Sequence, residues 1–228
     1  MHEGPFLFEA LGIAERWVPL AGSLIVFLLV LLMGLAIRRD HRRRDAAIPS
    51  PRPTLPAVLE YLVETLVSFL GSILGQYTHE FARLLTGIFF FILCANLIGL
   101  IPGLLAPTTS LSINLAMALV VFIYYHYIGI RDHGVSYIKL FIGPVWWIAF
   151  LILPIEIISH FARILSLTLR LTGNMSGEHL VMGVFSHLLP IGLPVAFLFL
   201  GLFTAILQAF VFMTLSAIYI FLSIEIDH

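Results

Sequence analysis

A chain of 228 residues with 60% apolar and only 11% charged side chains departs from water-soluble domains, which run at roughly half apolar and about a quarter charged. The formal net charge of −1 offers no field for nucleic acid, although five of the twelve basic residues crowd together in Arg38, Arg39, Arg42, Arg43 and Arg44, which reads as membrane topology. The single cysteine, Cys94, lies in an apolar run and excludes an internal disulfide.

Glu3, Glu9 and Glu15 precede the first apolar run, the reverse of the basic start of a secretory signal, so that run is expected to remain in the mature protein. Residues 18–37 give about twenty positions without a charge, enough at about 1.5 Å per residue for a hydrocarbon core of about 30 Å. The arginine cluster follows directly, which predicts residues 38–53 in the cytoplasm and the acidic N-terminus outside. Prolines 49, 51, 53 and 56 end that segment. Over residues 55–83 the pattern becomes two-sided. Glu60, Glu64, Ser68, Ser72, Gln76, His79 and Arg83 share one side, and Leu59, Val63, Leu66, Leu70, Leu74, Tyr77 and Phe81 the other, predicting an amphipathic helix at the interface or against partner helices.

Residues 84–102 and 111–130 form two further spans, joined by a Pro- and Gly-containing connection on the outer face. Arg131, Asp132, His133 and Lys139 then mark a second cytoplasmic loop, on the side set by the arginine cluster. Two long helices over 146–187, with Pro154 near the start, and 194–224 complete the chain and leave the C-terminus in the cytoplasm. About thirty residues make about 45 Å of helix, so both are expected to tilt strongly. The predicted fold is thus an all-α integral membrane protein, one membrane domain over 1–228, with about five embedded helices and one interfacial helix. Neither an internal repeat nor a phosphate-binding glycine loop is present, so nucleotide chemistry would belong to partners.

Ionisable groups inside a membrane are costly, about 2.5–3.5 kcal/mol each even on the lenient insertion scale. The segment 146–187 holds several. With Glu156 at zero on a helical wheel, His160 falls near about 40°, Arg163 near about −20°, Arg170 near about −40°, Asn174 near about 0° and Glu178 near about 40°, a single stripe flanked by Ser159 and Gly177. Arg163 can be read equally as a structural partner of Glu156. Arg170 has no carboxylate three or four residues away, so it calls for a negative group from another chain. Its guanidinium stays protonated and therefore acts as a fixed charge and not a proton carrier.

Residues Ser166-Leu167-Thr168-Leu169-Arg170-Leu171-Thr172-Gly173-Asn174-Met175, then Gly177-Glu178, resemble the signature of subunit a of the F-type ATP synthase. Asn96-Leu97-Ile98-Gly99-Leu100-Ile101-Pro102, Ser112-Ile113-Asn114-Leu115-Ala116-Met117-Ala118-Leu119 and Leu207-Gln208-Ala209-Phe210-Val211-Phe212-Met213 are similar to the family's second, third and final spans. The resemblance implies a non-catalytic stator subunit that loads and unloads the carboxylates of a rotating c-subunit ring through two offset half-channels. Its implied partners are that ring, the b-subunit peripheral stalk, the rest of the complex and the lipid bilayer of a bacterial inner membrane, with no cofactor and no metal. Arg170 corresponds to the essential arginine. Glu178 and Gln208 correspond to the periplasmic half-channel, Glu156 and Ser159 to the cytoplasmic exit, and His160, Asn174 and Asn114 join the ion-translocating set.

Three positions depart from the family pattern. Met175-Ser176-Gly177-Glu178 is one residue shorter than expected, which turns a side chain by about 100°. Gly201 stands seven residues before Gln208, where the family often has an ionisable partner, so His179, a water, or nothing fills that role. Ser110, Ser112 and Asn114 replace a more acidic Asp-x-Asn-x-Thr pattern. His2, His41, His79, His126, His133, His187 and His228 lie at segment ends or in loops and are read as solvated. Two other classes compete. A secondary transporter would show paired repeats with broken helices, and a haem-binding quinone oxidoreductase subunit would show facing histidines at matched depth on two spans.

Overall fold

The computed structural model describes residues 15–43, 55–101, 104–134, 137, 149–188 and 192–224. Six α-helices carry them: α1 (Val18–Arg43), α2 (Leu55–Leu74), α3 (Thr78–Gly99), α4 (Leu111–His133), α5 (Ala149–Leu188) and α6 (Gly192–Ile224), with short 3-10 turns at Glu15–Trp17, Gly75–Tyr77 and Pro107–Thr109. No strand occurs among the described residues. Five helical stretches are long and apolar enough to cross a membrane: Val18–Arg39, Leu55–Gly99, Leu111–His133, Phe150–Val184 and Val195–Ile224. The chain is an all-α integral membrane protein. The α-carbons group into two compact units, Met1–Pro107 with Ala205–Thr214, and Thr108–Thr204 with Leu215–His228, so α6 contributes to both.

In the first unit α1, α2 and α3 pack on one another. Val18, Gly22 and Val26 are the buried positions of α1, one narrow stripe at four-residue spacing, and a Cβ on Gly22 would lie 2.9 Å from Pro107 Cγ. That close approach is what a small residue on an apolar helix permits. From Leu20 to Leu35 the helix exposes many leucines with Ile25 and Phe27, a surface suited to lipid tails. Helix α1 also continues past residue 37, through Arg38, Arg39 and Arg42 to Arg43.

A single helix is predicted over 55–83, but the chain breaks at Gly75, whose φ of +54° only glycine adopts without cost. Thr78 Oγ1 then donates to the Gly75 carbonyl at 2.6 Å and starts α3, six residues before the predicted span of 84–102. On both sides of the break Glu64, Ser68, Ser72, Gln76, His79 and Arg83 are exposed, whereas Leu66, Leu70, Leu74 and Phe81 are buried. Leu85, Phe89, Ile92 and Ala95 continue that buried line along α3, and Phe69 meets Phe210 of α6 at 4.9 Å between ring centroids. The end of the predicted span at Pro102 lies outside the described residues.

In the second unit α4 packs along α5. Asn114, Ala118, Val121, Tyr125 and Ile128 are buried on α4 at alternating spacings of four and three, the period of one helix face. Opposite them His160, Ile164, Leu167, Leu171 and Met175 are buried on α5. Gly134, with φ of +54°, closes α4 by donating its N–H to the Ile130 carbonyl. The next turn back places His133 Nε2 2.8 Å from the Ile224 carbonyl at the end of α6. His133 thus lies at a segment end, as expected, but is partly buried there against the end of α6. Helix α5 has 40 residues and α6 has 33, about 60 Å and about 50 Å of axis, well beyond a perpendicular crossing of about 30 Å. Lys139 and the predicted start of the long helix at Trp146 lie outside the described residues.

Candidate functional site

The polar residues of α5 divide between two of its faces. Ile164, Leu167, Thr168, Leu171 and Met175 turn inward, which puts Ala162, Leu165, Ser166, Leu169, Arg170, Gly173 and Asn174 on the exposed side. Arg170 thus emerges from an apolar, uncovered helix face, with Leu165 and Leu169 each more than half exposed. Its hydrogen bond is a long one, Nη2 to Ser166 Oγ at 3.4 Å, and no carboxylate among the described residues pairs with it. Asn174, one turn further on, shares this face.

The rotation of that face is tied down from behind. Asn114 of α4 is wholly buried, and its Nδ2 donates to the Thr108 carbonyl at 2.6 Å and to Thr172 Oγ1 at 2.8 Å. Thr172 in turn donates to the Thr168 carbonyl at 2.9 Å, and Thr168 to that of Ile164 at 2.8 Å. Asn114 therefore binds the α5 turn that carries Arg170, a positioning contact made through Thr172.

Glu178 stands eight residues beyond Arg170, about 12 Å along the axis. It is partly buried, and its Oε1 is enclosed without a hydrogen-bond partner among the described residues. Such an oxygen is costly to leave unmet, so the position is suited to a proton, a water or a polar group from another chain. At the other end of α5, Glu156 Oε1 lies 3.5 Å from His160 Nε2, with Ser159 alongside, partly exposed. His160 is buried against α4, where the Tyr125 hydroxyl meets its Nδ1 at 2.7 Å. Arg163 stacks over the Tyr219 ring at 5.2 Å and forms no ion pair with Glu156 among the described residues. Gln208 is buried on the part of α6 that belongs to the first unit.

The predicted stripe from Glu156 to Glu178 is therefore not one file: His160 faces inward, Arg170 and Asn174 face outward, and Glu156, Arg163 and Glu178 sit at the boundary. The structure brings Glu156 together with His160, and Asn114 together with Thr172. Sequence reading missed Tyr125, His126 and Tyr137. His126, read there as a solvated segment-end residue, is partly buried, with Nδ1 2.7 Å from the Tyr137 hydroxyl and its ring 5.0 Å from that of His160. The run Tyr124-Tyr125-His126-Tyr127 was the available signal. No group of three or more metal-ligating side chains occurs among the described residues.

Residues 20–221 match the family described as ATP synthase A chain. The chain belongs to that family. It is 41% identical to the ATP synthase subunit a of Desulfosudis oleivorans over 97% of this chain and 96% of the relative. It is 42% identical to ATP synthase subunit a 1 of Syntrophotalea carbinolica over 88% and 84%. ATP synthase subunit a 2 of the same organism is 50% identical over 64% of this chain and 62% of its own length. An ATP synthase A chain is the non-catalytic, proton-translocating subunit of the membrane sector, in complex with other subunits of the synthase. With several helices able to span and with bacterial relatives, the chain is a multi-pass protein of a bacterial inner membrane.

Proposed function

We propose that this A chain is the stator of a rotary ion path, with two half-channels that meet a c-subunit ring on the exposed face of α5. The observation that carries the reading is Arg170, a permanent cation on an uncovered apolar helix face with no carboxylate paired to it among the described residues. A ring carboxylate arriving there would be drawn toward its ionised form, since an opposite charge within about 4–6 Å stabilises it. The same fixed charge would stop protons from passing straight between the half-channels.

Glu178, Asn174 and Gln208 serve the periplasmic half-channel in this reading, and Glu156, Ser159 and His160 the cytoplasmic one. The enclosed Oε1 of Glu178 supports its role as a proton-exchanging group. Asn114 is assigned a positioning role behind the arginine, which its two hydrogen bonds support. The N-terminus lies outside and the C-terminus in the cytoplasm, and a b-subunit stalk holds the stator against the turning ring.

Replacing Arg170 with alanine or glutamine tests the reading in the intact complex reconstituted into vesicles. Assembly is expected to persist, because the buried side of α5 is untouched. Gradient-driven ATP synthesis and ATP-driven pumping are expected to be lost, and passive proton leak to rise. Lysine is expected to substitute poorly, having no planar fork and losing its proton more readily in a desolvated site. Near-normal coupled synthesis in Arg170→Ala would sink the proposal.

A further inference from the structure

Four ring side chains converge where α4 meets the start of α5, and none of them is needed to explain Arg170. The Tyr125 hydroxyl is 2.7 Å from His160 Nδ1, and the two rings stack with centroids 5.8 Å apart. His126 packs against both, 4.4 Å from the Tyr125 ring and 5.0 Å from that of His160. Phe122 closes the group, with its ring 6.4 Å from that of His160. Tyr137 bonds His126 from the segment after α4, and its ring lies so close to Gly129 that any Cβ there would overlap it. Burial pushes the Tyr137 hydroxyl up to about 12, against an opposing pull from Arg163, so it stays neutral, 2.7 Å from His126 Nδ1. His160 is thus held on one side by Tyr125 and His126. On its other side Nε2 lies 3.5 Å from Glu156 Oε1, within ion-pair reach though not hydrogen-bonded, so a small side-chain movement would close the bond. The remaining cation nearby, Arg163, is engaged with Tyr219.

A neutral imidazole has one hydrogen for two nitrogens, so the partner of one nitrogen decides the state of the other. When Glu156 is ionised it only accepts, which calls for hydrogen on Nε2, and Nδ1 must then accept from the Tyr125 hydroxyl. When Glu156 is protonated it can donate to Nε2, and Nδ1 then carries the hydrogen and donates to the Tyr125 oxygen. The two arrangements differ by one proton on Glu156 and by the ring nitrogen that holds the hydrogen. One proton from the aqueous path, received by the Tyr125 oxygen as its own hydrogen moves to Nδ1 and the Nε2 hydrogen leaves to Glu156, converts the first into the second, and the hydroxyl ends neutral as it began.

We propose that Tyr125 and His160 are positioning residues for Glu156, with the Tyr125 hydroxyl selecting the tautomer of His160 and His160 offering or withdrawing a hydrogen in step with the protonation of the carboxylate. The inference rests on Glu156 serving the cytoplasmic half of the ion path. It adds that this acid is not a lone vestibule carboxylate. Its proton exchange is set by a second helix, through a hydroxyl that carries no charge.

The test uses the intact complex in vesicles, with ATP-driven pumping followed across pH. Tyr125→Phe removes one oxygen and keeps the ring. Its pH profile is expected to shift by about half a unit or more, with pumping reduced several-fold on the displaced limb. Tyr127→Phe, which alters an exposed hydroxyl two residues away, is expected to leave the profile in place. A Tyr125→Phe profile that superimposes on the wild type would overturn the inference. Nitrogen-15 NMR of histidine-labelled wild-type complex decides it independently, should that variant fail to assemble. The signal that disappears in His160→Gln is expected to report hydrogen on Nε2 at high pH and on Nδ1 at low pH, and a tautomer unchanged across that range would overturn the inference too. Arg170→Ala separates the two readings. Coupled pumping retained there defeats the rotary-path proposal, whereas pumping lost there with an unshifted Tyr125→Phe profile defeats only this one.

Discussion

Asn114 reaches α5 at Thr172, two residues from Arg170, and is proposed to set the arginine's direction without touching it. Truncation to alanine deletes both of its hydrogen bonds and leaves Thr172 with a hydroxyl that has lost its donor, a cost of about 1–3 kcal/mol for a buried polar contact. Asn114→Ala is accordingly expected to lower the thermal midpoint of the detergent-solubilised complex and to reduce coupled pumping while ATP hydrolysis by the catalytic head persists. A pumping rate equal to wild type would show that α5 keeps its rotation without this contact. The two acids of α5 are expected to differ when neutralised. Glu178→Gln removes an enclosed carboxylate and should slow uptake from the periplasmic side strongly, whereas Glu156→Gln should be milder, because Glu156 is more open and has His160 beside it. Side-specific proton flux in oriented vesicles separates them, and equal, negligible effects would remove the two-path assignment.

At the scale of elements, the break between α2 and α3 depends on one backbone angle. Gly75→Ala meets no atom within 4 Å, so its whole cost is the left-handed conformation, about 1–2 kcal/mol. The variant is expected to melt at lower temperature, and an unchanged melting point would show that the break does not need glycine. This break also marks the limit of reading the sequence. Hydropathy and the wheel placed the exposed and buried sides of 55–83 on the residues where they lie, because burial follows side-chain chemistry. One glycine among several carries no sign of positive φ, so the interruption stayed invisible. The stripe on α5 misled for a related reason. An 80° spread on a wheel is wide enough to straddle two faces, and only the bond to Tyr125 and the burial of Ile164, Leu167 and Leu171 settle that His160 turns in while Arg170 turns out. The Arg170 motif itself was legible, since an unpaired charge in an apolar run is conspicuous from composition alone. The Tyr125–His160 bond joins residues 35 apart and could not be seen without the fold.

For the whole molecule, the sequence predicts that the arginines at the end of α1 and the charges at Arg131 and Asp132 share one side of the membrane. Cysteines introduced at Asp45 and Asp132 are therefore expected to react with an impermeant thiol reagent only from the cytoplasmic face. Labelling of both from outside intact cells would invert the topology. The length of α5 has an electrical consequence. For its apolar stretch Phe150–Val184, 35 residues and about 52 Å, to lie within a hydrocarbon layer of about 30 Å, each residue must gain only about 0.9 Å of depth. Arg170 and Glu178 then differ in depth by about 7 Å, about a quarter of the layer. At about 2.3 kcal/mol per charge per 100 mV across the full membrane, the voltage between them does only about half a kcal/mol of work on a proton. In the proposed ion path a proton moving between Glu178 and the depth of Arg170 would therefore feel only about a quarter of the membrane potential, and the voltage would do the rest of its work on steps outside that interval.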